Sequence, residues 1–204
     1  LAWAAGDMQA KGFLIGGTAG RTTLNGEGLQ HQDGDSHLVA NTIPNCISYD
    51  PTYAYELAVI IRSGLYRMYE NHENIFYYIT TMNELYAHPE MPAGTEEGII
   101  KGIYPLKEVG KGDKQVQLLG CGTILREVEK AAQMLSDDWG VKSSIWSVTS
   151  FNELTREAQA VDRVNRFSTD KPQVPYITQC LADTKGPVIA TTDYMRNYAE
   201  QVRK

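Results

Sequence analysis

No stretch of this 204-residue chain is long and apolar enough to span a bilayer. The longest aliphatic run, Leu57 to Ile61, is five residues, against the roughly 20 that a membrane helix needs. No basic, hydrophobic leader precedes the first motif, so neither a membrane nor a secretory signal is expected. An excess of positive charge is also lacking. The chain has 19 Lys and Arg against 25 Asp and Glu, a net of −6. Binding to phosphates requires a basic stripe, so nucleic acid is not an expected partner. Cysteine is scarce: Cys46, Cys121 and Cys180 are far apart, form no CxxC pair and have apolar neighbours. They read as buried free thiols of a reducing cytoplasm. What is present is ordinary for a globular protein, with 42% apolar and 22% charged residues, enough for one large or two small domains.

Residues 1–82 predict a strand–helix–strand unit. Phe13-Leu14-Ile15 runs into Gly16-Gly17 and a long glycine-rich loop. Cys46-Ile47-Ser48-Tyr49 reads as a buried strand. Asp50-Pro51 reads as a helix start, with an N-cap acid and proline at the first helical position. Ala54, Leu57, Ala58, Ile61, Leu65 and Met68 then fall on one helical face. Ile75 to Ile79 is aromatic and β-branched, hence a second strand beside the first. Residues 83–113, punctuated by proline and glycine, read as an interdomain linker with room for one short helix and one short strand. Residues 114–204 repeat the alternation. Val116 to Leu119, Ser144 to Thr149 and Val188 to Ala190 are strands, each followed by a helix, the last of them starting at Asp193. Two parallel α/β units are therefore expected. The segment Asn152 to Glu157 reads as a solvated helix face.

The densest polar stretch runs from Gly26 to His37 and holds Glu27, His31, Asp33, Asp35 and His37. In an open α/β sheet, ligands bind on loops at the carboxyl ends of strands, although turns favour the same glycines and acids. His31 and His37 are the acid/base candidates, because imidazole exchanges protons near neutral pH. Alternation could set His31, Asp33, Asp35 and His37 on one face of an extended segment. Structural zinc sites draw on separated ligand pairs, however, and no second cluster completes one, so no metal ligand is assigned. His72 and His88 read as surface residues. The turns at Gly16 to Arg21 and Gly120 to Leu125 lack the endings of phosphate-binding loops.

The stretch 16–37, followed by Ile43-Pro44-Asn45-Cys46-Ile47-Ser48-Tyr49-Asp50-Pro51, closely resembles the homodimeric bacterial pyruvate dehydrogenase decarboxylating components. These belong to the transketolase-like thiamine diphosphate superfamily. The likeness continues through Tyr77 to Thr81, Val116 to Gly120, Ser147 to Phe151 and Thr192 to Met195. Asp33-Gly34-Asp35-Ser36-His37 also looks, more distantly, like the Asp-Gly-Pro-Thr-His stretch of transketolases.

The resemblance implies that residues 1–82 are the later part of a pyrimidine-binding domain and residues 114–204 the start of a transketolase-like C-terminal domain. It makes His31 catalytic, assigns Asp33 and His37 to substrate, and puts Glu27 near the cofactor. It implies a homodimer that uses thiamine diphosphate and Mg2+, decarboxylates pyruvate in the glycolytic economy of the cytoplasm, and hands the acetyl group to a lipoyl domain of dihydrolipoamide acetyltransferase. Asp35 stands where the family is expected to have histidine, which argues against a direct role there. The Gly-Asp-Gly…Asn signature for magnesium and diphosphate is absent, as is the glutamate that faces the aminopyrimidine ring. The chain is thus expected to be an internal piece that neither binds the cofactor nor acts alone. Two other readings stay open: a transketolase-type ketol transfer, and a stand-alone, non-catalytic α/β partner-binding module.

Overall fold

The computed structural model describes residues 1–23 and 28–203. The first sheet has the order β1-β3-β2, built from β1 (Phe13–Gly16), β2 (Cys46–Tyr49) and β3 (Phe76–Thr80). Both pairings are parallel, with Phe13 opposite Tyr77 and Cys46 opposite Phe76. Parallel strands need a crossover, and α3 (Ala54–Leu65) with the π-helical turn Tyr66–Glu70 supplies the one between β2 and β3. Burial of Val59, Ile60 and Met68 against Ile47, Tyr49, Tyr77 and Ile79 closes this core. A short helix, α1 (Ala2–Asp7), precedes β1, and α2 (Ser36–Asn41) precedes β2.

The second sheet has the order β4-β6-β5-β7, from β4 (Ile103–Val109), β5 (Gln115–Gly120), β6 (Lys142–Val148) and β7 (Val188–Thr191). Strands β5, β6 and β7 are parallel, as the alternating pattern predicts. The exception is β4, which runs antiparallel to β6. It follows α4 (Glu96–Lys101) in the stretch that reads as a linker, and its alternation is hidden by Pro105, Lys107 and Glu108. A proline is tolerated there because β4 is an edge strand, and the register shifts between Pro105 and Lys107. Helix α5 (Gly122–Trp139) covers one face of this sheet with Leu125, Val128 and Ala132, all buried. Each large aliphatic side chain so buried is worth about 1.5–3 kcal/mol. Helix α6 (Phe151–Phe167), α7 (Tyr176–Leu181) and α8 (Arg196–Glu200) complete the unit, with Phe151, Leu154, Ile177 and Tyr198 in a common core.

Three local expectations are corrected. Asp50 does not cap a helix. Helix α3 starts at Ala54, and Glu56 Oε2 accepts from the backbone N–H groups of Thr52 and Tyr53 at its start. The segment Asn152–Glu157 is not a solvated face: Asn152 and Leu154 are fully buried. Asn152 Nδ2 donates to His37 O and Ser48 Oγ, and Arg156 donates to the carbonyls of Cys46 and Ile43. The last helix starts at Arg196 rather than Asp193. Cys46 and Cys121 are buried and Cys180 is half-buried, all three as free thiols. Among the described residues, no helix is long and apolar enough to cross a membrane.

Candidate functional site

Because β1, β2 and β3 are parallel, their carboxyl ends at Gly16, Tyr49 and Thr80 lie along one edge of the sheet, where open α/β sheets bind ligands. The loop that leaves β1 is joined to the end of β3: Thr81 N donates to Gly16 O and Ala19 N to Thr81 O, both at 2.8 Å. After Thr23 the description resumes at Gly28, so Glu27 lies outside the described residues. Residues Leu29–His31 form a 3-10 turn, and His31 is exposed.

Asp33 shapes the next turn. Its Oδ1 accepts from Ser36 N at 3.0 Å and from Asp35 N at 3.2 Å, and its Oδ2 from Ser36 Oγ. This is an Asx-type turn that starts α2. Asp35 itself is exposed and its side chain makes no capping bond. The segment is therefore a turn followed by a helix rather than an extended strand, and alternation does not set His31, Asp33, Asp35 and His37 on one face. Among the described residues, no group of three or more His, Cys, Asp or Glu could hold a metal ion.

His37 points inward from the first turn of α2 and is fully buried. Its ring stacks on Tyr198 at 4.9 Å and meets the edge of Tyr194 at 4.9 Å. Its Nε2 lies 2.9 Å from Thr80 Oγ1, and among the described residues its Nδ1 has no hydrogen-bond partner. Burial lowers its pKa to about 4, against a smaller opposing pull from Asp33, so the ring is neutral near pH 7.

Thr80 in turn donates to Asp50 Oδ1 at 2.6 Å, and Tyr194 OH lies 3.4 Å from the same oxygen. Burial raises the Asp50 pKa to about 6, although hydrogen bonds from Thr80, Cys121 and Tyr194 favour its charged form. When Asp50 is ionised, the single Thr80 hydrogen goes to it, and His37 Nε2 must then be the donor to Thr80. His37, Thr80 and Asp50 are thus one connected chain that runs from the loop into the contact between the two units. Sequence reasoning missed Asp50 and Thr80. Their signal is position, since each sits at the carboxyl end of a strand.

A cavity of about 1200 Å³ lies beside β7 and is lined by residues such as Ile177, Leu181, Val188 and Val202. It includes none of His31, Asp33 and His37.

Comparisons with known proteins agree with this architecture. Residues 1–89 match the pyruvate dehydrogenase E1 component middle domain, and residues 102–204 match the transketolase-like TK C-terminal domain. The chain is 64% identical over its whole length to the pyruvate dehydrogenase E1 component of Pseudomonas aeruginosa. It is 60% identical, again over its whole length, to that of Escherichia coli. It spans 23% of the length of each of these relatives. A solved transketolase from Campylobacter jejuni superposes on 96% of the chain with a TM-score of 0.68 at 18% identity, and the match spans 26% of that protein. At that identity the likeness speaks for the fold alone. With parallel α/β units, matching models in both halves and whole-length identity to these relatives, the chain belongs to the pyruvate dehydrogenase E1 component family and has a transketolase-like fold.

Proposed function

We propose that this chain contributes part of the active centre of a pyruvate dehydrogenase E1 component, which decarboxylates pyruvate and passes the acetyl group to a lipoyl domain of dihydrolipoamide acetyltransferase. The observation that carries the reading is His31. It stands exposed on a turn after the carboxyl end of β1, within a chain 64% identical to a protein of that name. Histidine is the side chain most often used for general acid–base catalysis, which is the service the reaction requires. Asp33 and His37 border the substrate funnel. Asp33 holds the turn that follows His31 and starts α2, and His37, in the first turn of that helix, is neutral and fixed by its aromatic neighbours. Glu27, between these elements in sequence, is assigned to the surroundings of the cofactor.

In the complete protein thiamine diphosphate with Mg2+ would supply the electron sink. Among the described residues no group of three or more His, Cys, Asp or Glu stands together for Mg2+. The first unit would serve as the later part of a pyrimidine-binding domain (residues 1–82), joined through residues 83–113 to the start of a C-terminal domain (residues 114–204). The working form would be a cytoplasmic homodimer, with this chain inactive by itself.

The test is His31→Ala in the full-length protein, read as pyruvate-dependent acetylation of a lipoyl domain. General acid–base help of the usual size predicts a loss of about 10²-fold or more. Turnover equal to that of the unsubstituted protein would overturn the assignment.

A further inference from the structure

The loop that carries His31 is pinned at both feet to one short segment of the second unit. At the first foot, Asp193 Oδ2 accepts from the backbone N–H of Arg21 at 2.5 Å and of Thr22 at 2.7 Å. Its Oδ1 accepts from Thr22 Oγ1 at 2.9 Å. The Arg21 side chain returns to the same segment, donating from Nε to Asp193 O at 2.7 Å and from Nη2 to Tyr194 O at 3.2 Å. At the second foot, Met195 N donates to Gly34 O at 2.8 Å.

The closeness of the first foot is built into the sequence. Gly20 has φ of +81°, and a Cβ there would lie 2.7 Å from Asp193 Oδ2. The anchoring segment is itself held. It leaves β7, which pairs with β5, and Thr191 Oγ1 donates to Leu119 O at 2.7 Å. Tyr194 is buried against His37 and Tyr198.

The geometry points to Asp193 as a positioning residue for the His31 loop, a latch through which the second unit fixes where the turn Leu29–His31 stands. A carboxylate that takes two backbone N–H groups and a hydroxyl holds a strand of chain more firmly than neutral bonds do. Asp193 touches no reacting atom. It acts through the loop, and its effect on turnover rests on the role given to His31 above.

The experiment uses the full-length protein and two readouts. The first is limited tryptic cleavage after Arg21, followed by mass spectrometry in the unsubstituted protein, D193N and T22V. Loss of a charged acceptor predicts roughly tenfold faster cleavage in D193N, and a smaller increase in T22V. Thr22 is exposed, so T22V keeps the test decisive should D193N fail to fold. The second readout is lipoyl acetylation in D193N, H31A and the double variant. A loop displaced by about an ångström predicts a loss of up to 10²-fold in D193N. In the H31A background the same change should add less than about threefold, because both act through one group. Unchanged cleavage after Arg21 in the folded variants, or full additivity in the double variant, would overturn the latch. Undiminished activity in H31A would instead remove the assignment of His31, while the cleavage rates still decide whether Asp193 holds the loop.

Discussion

Glu56 Oε1 lies 2.6 Å from Ser147 Oγ, a bond that joins α3 of the first unit to β6 of the second. The same carboxylate accepts from Tyr104 OH on β4 at 2.6 Å and, through Oε2, from the backbone N–H groups of Thr52 and Tyr53. Glu56 is fully buried and has no cationic partner among these donors. Burial raises its pKa, and the four hydrogen bonds oppose that shift. It caps α3 and rivets the two sheets together at once.

Replacing Glu56 by Ala would strand the Ser147 hydroxyl and two backbone donors in the interior and leave Tyr104 OH with Tyr55 OH, at 2.7 Å, as its partner. Buried donors left without acceptors cost about 1–3 kcal/mol each where no water reaches them, and relaxation of the site recovers part of that. The expected loss is about 3 kcal/mol or more, seen as a shift of the urea midpoint of this chain by about 1–2 M. A variant with an unchanged midpoint would show that the rivet carries no stability. Glu56→Gln should fall between the two, because its carbonyl oxygen replaces only one of the two acceptors.

A second prediction concerns pH. Asp50, raised to about 6, favours folding below the ordinary carboxylate pKa and loses that contribution as pH rises from about 4 to 6. His37, lowered to about 4, does the opposite. The unfolded chain takes up a proton near the ordinary imidazole value and the folded one does not, so stability falls as pH drops from about 6.5 to 4. At 1.36 kcal/mol per unit each effect is about 3 kcal/mol, with opposite slopes over nearly the same window. Thr80 links the two groups by hydrogen bonds. Relative to the unsubstituted chain, Asp50→Asn should make stability rise more steeply with pH between 4 and 6, and His37→Asn should make it fall. Unfolding curves at several pH values decide this, and parallel profiles for all three proteins would refute the opposed pair.

The strands and long helices were legible because their apolar periods are unbroken. Val116–Leu119 and Ser144–Thr149 read as strands, and the apolar positions from Ile124 to Trp139 place α5 within two residues of its observed ends. What escaped was polar chemistry directed at a partner distant in sequence. Asp50-Pro51 has the local signature of a helix start, yet its carboxylate answers Thr80 and Tyr194. Asp193 reads as the start of the last helix and instead holds Arg21 and Thr22. Asn152 and Arg156 look solvated because their acceptors, on α2 and β2, are more than a hundred residues away. His31 and Asp33 could be found as a polar loop, but spacing carries no sign that His37, six residues on, would turn into the interior.

The last prediction sets two glycines of one helix against each other. Gly122 opens α5 with φ of +48°, donates its N–H to Asp50 O at 3.1 Å, and has no room for a Cβ, which would collide with the Asp50 carboxylate. Gly140 ends the same helix with φ of +60°, and a Cβ there would meet nothing within 4 Å. Alanine at either site incurs left-handed backbone strain of about 1–2 kcal/mol. Only at Gly122 does it also push against a buried carboxylate already fixed by Thr80. Gly140→Ala should therefore lower stability by about 1 kcal/mol and leave the pH profile unchanged. Gly122→Ala should lose at least about 1–3 kcal/mol more, the usual scale of overpacking in a filled core, and should disturb the Asp50 contribution between pH 4 and 6. Urea unfolding of the two variants at pH 4 and pH 7 separates strain from collision. Equal losses at both sites would mean that Asp50 moves aside freely, and that the chain from His37 through Thr80 to Asp50 is not rigid.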